Sequence, residues 1–248
     1  MPAESGGPRA DTASLVALLR DLPADADRSA VWAALGAAPD LAGRDLRGVC
    51  LAGAPLQGAN LRGADLGAAD LRGACLDGAK LQDALMAEAD LSGASLRGAV
   101  AAGLIAPGLR LVGADAREAD FTGADLGTAD LRGADLRGAT LTDVIAERAH
   151  LDGARLQGAR LTRADLTAAS LSGTGLDAAT DLGDTRLSGA TLRQADWSEA
   201  RLTPAQLAQL TADGSTRISP AHPRPAHWPA QTLSDAAFLA HRRAPFGE

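Results

Sequence analysis

The chain has 248 residues, a formal net charge of −7 and 2% aromatic residues, with no tyrosine. A mildly acidic balance argues against a nucleic-acid-binding surface, and so few rings argue against a conventional globular core of this length. An apolar run of about 18 residues is absent, so no membrane span is expected. The N-terminus lacks the basic-then-apolar pattern of a secretory signal, which predicts a cytoplasmic protein.

Residues 1–10 are small, polar and rich in Pro and Gly, a composition expected to be disordered. Asp11 to Leu22 carries Leu15, Val16, Leu18, Leu19 and Leu22 at helical spacing, with Asp11 or Thr12 as N-cap and Pro23 as the stop. A second short helix is predicted from Asp27 to Gly36, with Val31, Trp32 and Leu35 on one side.

From Leu41 the sequence repeats every five residues, most clearly over Ala119–Leu141, ADFTG ADLGT ADLRG ADLRG ATL. A period of five is neither helical nor that of a plain strand. Each unit has a large apolar residue at its centre and a small one two positions earlier, so both point to one face of a short extended segment. The position two after the centre is mostly Gly, which suits a tight corner with positive φ. Strand and corner in alternation wind the chain into stacked coils, a β-solenoid. The two N-terminal helices would then cover the first coil, whose apolar core and strand edges are otherwise open.

Units such as ANLRG (59–63), ADLSG (89–93) and ADLRG (134–138) resemble the pentapeptide-repeat family. The resemblance implies an all-β solenoid, a right-handed quadrilateral β-helix with four units per coil. Centres run from Leu41 to Leu176, slip by one residue near Thr180–Asp181, and resume at Leu182 to Leu202. That makes about eight coils and a rod about 40 Å long at the strand spacing, with short helical caps at both ends. Three regions are expected: 1–40 as disordered start and cap, 41–203 as β-helix, and 204–248 as a C-terminal cap and tail. In the tail, Thr203 and Pro204 open a short helix to Thr211 that presses Leu207 and Leu210 on the last coil. The Pro-rich stretch 213–230 is not expected to continue the ladder. The piece from Leu233 to Arg243 either docks back or mediates a homodimer; the resemblance implies a dimer, since C-terminal helices commonly form that contact in topoisomerase-binding members.

With four units per coil, residues 20 apart stack. One side then has centres 46, 66, 86, 106, 126, 146 and 166. Leu85, Ile105 and Ile145 stand on it where other units carry a polar residue, and are expected to form an outward apolar patch covered by a terminal segment or a partner. The stretch Gly103–Gly108 matches the repeat least and is expected to protrude as a small loop. The same side carries Asp45, Asp65, Glu88, Asp125, Glu147 and Asp165 against Arg44, Arg47 and Arg148, a net charge of −3. Elsewhere Arg interleaves with Asp, as in Asp70-Leu71-Arg72, which reads as ladders of solvated ion pairs.

No phosphate loop, GxSxG or HExxH motif is present, and His150, His222, His227 and His241 are scattered, so neither an enzyme, a metal site nor a cofactor is expected. Cys50 and Cys75 precede centres on neighbouring sides and should be reduced, outward thiols. The resemblance implies a rod that mimics DNA and binds DNA gyrase or topoisomerase IV, modulating it or shielding it from poisons, without contacting nucleic acid itself. Duplex DNA carries one charge per ~1.7 Å, so a 40 Å rod would need roughly 23 negative charges. Residues 41–207 hold 22 acidic and 17 basic side chains, a net charge of −5. The acidic side alone keeps the mimicry expectation in play. The alternative is a protein-interaction scaffold with no topoisomerase partner.

Overall fold

All five backbone amides of a repeat unit find acceptors, and this fixes the path of the chain. In the unit centred on Leu71, the Leu71 amide donates to Asp90 O (2.7 Å), Gly73 to Ser92 O (3.1 Å) and Cys75 to Ala54 O (2.9 Å). These three bonds tie each coil to its neighbours. The Ala74 amide closes the corner on Leu71 O (3.0 Å). The fifth amide, Arg72, is taken by the side chain of Asp70 (3.1 Å). Asp before the centre is thus first a backbone acceptor, and it recurs in that role from Asp65 on Gly67 to Asp196 on Ser198.

The computed structural model describes residues 12–23 and 26–243. Parallel bridges join residues 20 apart from Asp40↔Asn60 to Arg155↔Gly175, so four five-residue units make one coil. Leu at the centres and Ala two before them are buried in one continuous core. The corners from Gly43 to Gly173 are turns whose third residue has positive φ, as in Gly73 at +64°, the conformation that a type II turn demands.

After Gly175 the spacing becomes 21, with Arg160↔Asp181 and Asp165↔Arg186. The unit from Leu176 to Thr180 absorbs the extra residue, as the one-residue slip predicts. It turns without positive φ, and the Asp177 carboxylate accepts the Gly158 amide (2.9 Å). Thr180 and Thr185 replace inward Ala here, and their hydroxyls donate to Leu156 O (3.1 Å) and Leu161 O (2.8 Å).

Gly103–Gly108 does not protrude. Ile105 bridges Leu85 and Asp125, and the corners at Gly103 and Gly108 keep φ at +69°. Two features hold the stretch in the ladder. Small centres Ala101 and Ala106 are matched by large Leu104 and Leu109 at the usual Ala positions, all buried, so core volume is conserved. Pro107 follows Ile105 where an amide would otherwise lack its Asp, and Pro has no amide to satisfy.

At the N-terminal end, helices α1 (Thr12–Asp21) and α2 (Ser29–Leu35) place Val16, Leu19 and Val31 in the same core as Leu41. Asp11, one of the two expected N-caps, lies outside the described residues, as do residues 1–10. At the other end, strands β1 (Thr191–Leu192) and β2 (Asp196–Trp197) precede α3 (Pro204–Gln209), whose capping box joins Thr203 and Gln206. Strands β3 (Thr211–Ala212) and β4 (Arg217–Ile218) then pair with β1 and β2. The ladder therefore runs into the segment expected to leave it, because the first Pro of that segment is Pro220 and Asp213 still serves the Ser215 amide (2.9 Å).

The tail docks on its own chain. Trp228 is buried and donates to Leu210 O (2.8 Å), and Phe238 of α4 (Asp235–Arg243) lies 4.8 Å below the Arg193 guanidinium. Arg193 also reaches Asp213 (3.3 Å), Asp235 (2.5 Å) and Leu233 O (2.6 Å). A Cβ on Gly214 would meet the Ala230 carbonyl and, at 2.7 Å, the Thr232 nitrogen. Gly214→Ala is expected to lift this segment, lowering stability by about 1–3 kcal/mol and exposing residues beyond 218 to limited proteolysis. An unchanged melt and digestion pattern would show that the passage over Gly214 is not tight.

Arg side chains hold the carboxyls of Asp70, Asp115, Asp130 and Asp135 below the usual range, chiefly by hydrogen bonds from Arg72, Arg117, Arg132 and Arg137. A lowered folded pKa means the unfolded chain binds more protons. The contribution is complete above the ordinary Asp pKa and is lost as the pH falls through the folded values. The melting temperature should therefore be level above about pH 5 and drop by several degrees below about pH 4. A melt as high at pH 3 as at pH 7 would contradict this.

Candidate interaction surface

One column of outward side chains departs from the pattern of the others. Its bridges run Asp45, Asp65, Leu85, Ile105, Asp125, Ile145, Asp165 and Arg186. Seven of the nine residues singled out from the sequence stand in this column. Glu147 projects from the same side one position after Ala146, and Glu88 occupies the corner at its edge with φ +58°.

Leu85, Ile105 and Ile145 are 40%, 48% and 48% exposed. Leu85 and Ile105 are adjacent, whereas Ile145 is set apart by Asp125. Among the described residues no terminal segment covers them; α1 reaches only the first coil and the tail folds over the last.

The charges are more balanced than the sequence count. Asp45 is held by Arg47 and by Arg20 of α1, both at 2.9 Å, Asp65 lies 3.5 Å from Arg47, and Asp165 pairs with Arg186 (3.2 Å). Adding Arg20 and Arg186 changes the net charge of this side from −3 to −1. Arg186 was readable in principle, because a slip of one residue stacks it on Asp165. Arg20 arrives through helix packing, which the sequence does not encode locally. Among the described residues Glu88, Asp125 and Glu147 have no ion-pair partner. The other sides are richer in bidentate pairs, such as Arg132 on Asp130 (2.7 Å from both Nε and Nη2).

A second feature escaped the sequence reading. Twelve non-glycine residues have positive φ, and nine of them border this side: Ala68, Asp83, Glu88, Thr128, Asp143, Arg148, Arg163, Ala168 and Asp184. Six of the nine are charged. By contrast, the corners that follow Leu51, Leu71, Leu91, Leu111, Leu131, Leu151 and Leu171 are all Gly. A side chain in this conformation costs about 1 kcal/mol or more. Both edges of the side therefore carry projecting groups at a conformational cost that the far corners avoid. Near its C-terminal end a groove of about 630 Å³ is lined by Asp143, Ile145, Glu147, Arg163, Asp184 and Arg186. Arg163 clasps Asp143 there at 2.6 and 2.7 Å.

Cys50 and Cys75 are free, and the Cys50 thiol faces Asp70 at 3.8 Å. His227 is engaged with Leu210 O (2.9 Å).

The sequence pattern of pentapeptide repeats matches eight copies, over residues 40–78, 64–100, 110–145, 147–179 and 180–216. The chain belongs to the pentapeptide-repeat family. Members fold as right-handed quadrilateral β-helices, which gives the hand of the coil described above. The gap in the match between 100 and 110 coincides with Ile105 and its swapped core residues, where the ladder nonetheless continues. Among solved structures, the chain is similar to HetL, a pentapeptide-repeat protein involved in heterocyst differentiation regulation in the cyanobacterium Nostoc sp. strain PCC 7120. The identity is 27%, the TM-score 0.57, and the match covers 75% of this chain and 87% of HetL. It is also similar to QnrB1, a plasmid-mediated fluoroquinolone resistance protein, at 18% identity and TM-score 0.46 over 73% of this chain and 88% of that one. No curated protein sequence matches.

Replacing Ala68, Thr128 and Ala168 with Gly relieves three strained corners without removing a charge. The triple variant should be more stable than the parent by about 1–3 kcal/mol, read in urea unfolding. Lower stability would mean that the corners are not strained.

Proposed function

We propose that this pentapeptide-repeat protein is a non-enzymatic, protein-binding rod of about eight coils, closed at both ends by helices. The recognition surface is the side bearing Leu85, Ile105 and Ile145. One observation carries the reading: three large apolar side chains stand nearly half exposed in a single column, and solvent-facing apolar clusters mark contact sites. Affinity comes from side chains alone, because the amides of the column are already bonded from coil to coil.

A second reading makes the carboxylates of this side stand in for duplex phosphates, with DNA gyrase or topoisomerase IV as partner. Glu88, Asp125 and Glu147, free of ion pairs among the described residues, favour it. The pairing of Asp45, Asp65 and Asp165 with arginines opposes it, since a mimic of duplex DNA needs uncompensated charge.

Two measurements separate the readings. Immobilised protein should capture its partner from an extract, and a variant with Leu85, Ile105 and Ile145 changed to Ser should lose it. Equal capture by both would remove this side as the recognition surface. In a supercoiling assay with purified gyrase, inhibition lost on changing Glu88, Asp125 and Glu147 to Gln, Asn and Gln would establish the second reading. No effect at a large molar excess would eliminate it.

A further inference from the structure

The partner's shape and charge follow from the same surface, an argument that rests on the protein-binding reading above. We infer that Leu85, Ile105 and Ile145 form the seat for a basic amphipathic α-helix of a partner protein, laid along the rod axis.

The face excludes an added strand. The Leu85 and Ile105 amides already donate to Ala64 O and Ala84 O, and their carbonyls accept from Leu66 and Met86. The Ile145 amide and carbonyl are bonded in the same way, so no backbone group of the three apolar residues is left to pair with a strand and a partner must bind through side chains. One side of the coil spans about three extended residues, roughly 10 Å, which matches the width of a single helix at about 10 Å.

The axial spacing also fits. Coils repeat at about 4.8 Å, so Ile105 and Ile145 lie about 5 and 14 Å beyond Leu85. On a helix, positions i, i+4 and i+11 rise about 6 and 16 Å and fall within a stripe of about 40°. Three apolar residues at that spacing would rest on the three exposed side chains of the rod, within a mismatch that side chains absorb.

The surrounding charge selects a basic helix. Glu88, Asp125 and Glu147 lie on or beside the column, and Asp83 and Asp184 stand at its other edge. Among the described residues none of the five is in an ion pair, and Arg44, at the N-terminal end, and Arg148 are the cations of this side in the same condition. Three of the five, Asp83, Glu88 and Asp184, occupy left-handed corners where Gly serves elsewhere. Carboxylates flanking an apolar stripe on both edges are complementary to Lys or Arg flanking the stripe of a helix. The same sign excludes a nucleic acid strand from this face.

The test uses the full chain and two synthetic probes of about 15 residues, an amphipathic Leu/Lys helix and its Leu/Glu counterpart, followed by fluorescence anisotropy. The Leu/Lys probe should bind, weaken at least tenfold with Ile105→Ser, and weaken at least tenfold with the combined Glu88→Gln, Asp125→Asn and Glu147→Gln variant. The Leu/Glu probe should not bind. Ile145→Ser gives an independent reading, and melting curves show that each variant is folded. Loss of binding in the carboxylate variant with none in Ile105→Ser or Ile145→Ser would mean general charge attraction and would overturn the inference. So would equal binding of both probes, or no binding of the basic one. If the probe fails while extract capture still depends on Leu85, Ile105 and Ile145, the helix is wrong and the protein-binding reading stands. If both fail, the reading falls with it.

Discussion

The structure depends on satisfying the fifth amide of each unit. Four of the five amides are bonded by winding itself, three to neighbouring coils and one across the corner, as in the unit of Leu71. The remaining one follows the centre and points along the outer surface. Asp one residue before the centre bends its carboxylate back to that amide, and Arg72, Thr122 and Arg132 are each served in this way. An Arg in the following position then returns to the same carboxylate, so one Asp closes the backbone and anchors a guanidinium. This makes the Asp ladder a structural device before it is a surface charge.

That priority changes how the acidic composition is read. A count of carboxylates suggests a rod with a DNA-like field, but carboxylates occupied by an amide and an Arg project little of it. Asp115 is typical, shared by Arg97 at 2.6 Å and Arg117 at 2.8 Å. Among the described residues the groups that do project are those no Arg clasps: Glu88 at a corner, Glu147 after a centre, and Asp125, which serves the Gly127 amide (2.9 Å) but has Gly rather than Arg at that position. They lie on or beside the apolar column.

Much of the fold was legible because the repeat is its own evidence. Period five gave the inward Ala and Leu, and the slip near Thr180 appears as a change of bridge spacing from 20 to 21. The errors came where a local departure was taken for a break. Gly103–Gly108 lacks the consensus residues yet keeps its ladder, because Ala101 with Leu104 and Ala106 with Leu109 exchange large and small. The tail kept pairing through Ile218 because Asp213 preserves the rule of the fifth amide. Of the surface, the column was readable from spacing alone. Arg20 was not, since helix docking depends on contacts remote in sequence. The strained corners were present in the sequence as missing glycines, but their clustering emerges only once the sides are aligned.

A solenoid has a use for departures from its consensus. Coils are equivalent in what they require of the backbone, so a unit that breaks the rule on its outer face does so without help from its neighbours. The unit of Ile105 gives up the Asp, loses the need for it through Pro107, and rebuilds its core volume with Leu104 and Leu109. These four replacements within residues 104–109 thus leave the ladder intact and convert one polar position into an apolar one. A change that serves only stability would not choose this route, because Asp with Gly already satisfies every group there. The corners at Asp83, Glu88 and Asp184 argue in the same direction, since each accepts left-handed strain to project a carboxylate. Strain and compensation meet on the side of the rod where Leu85, Ile105 and Ile145 are exposed, the side proposed as the recognition surface.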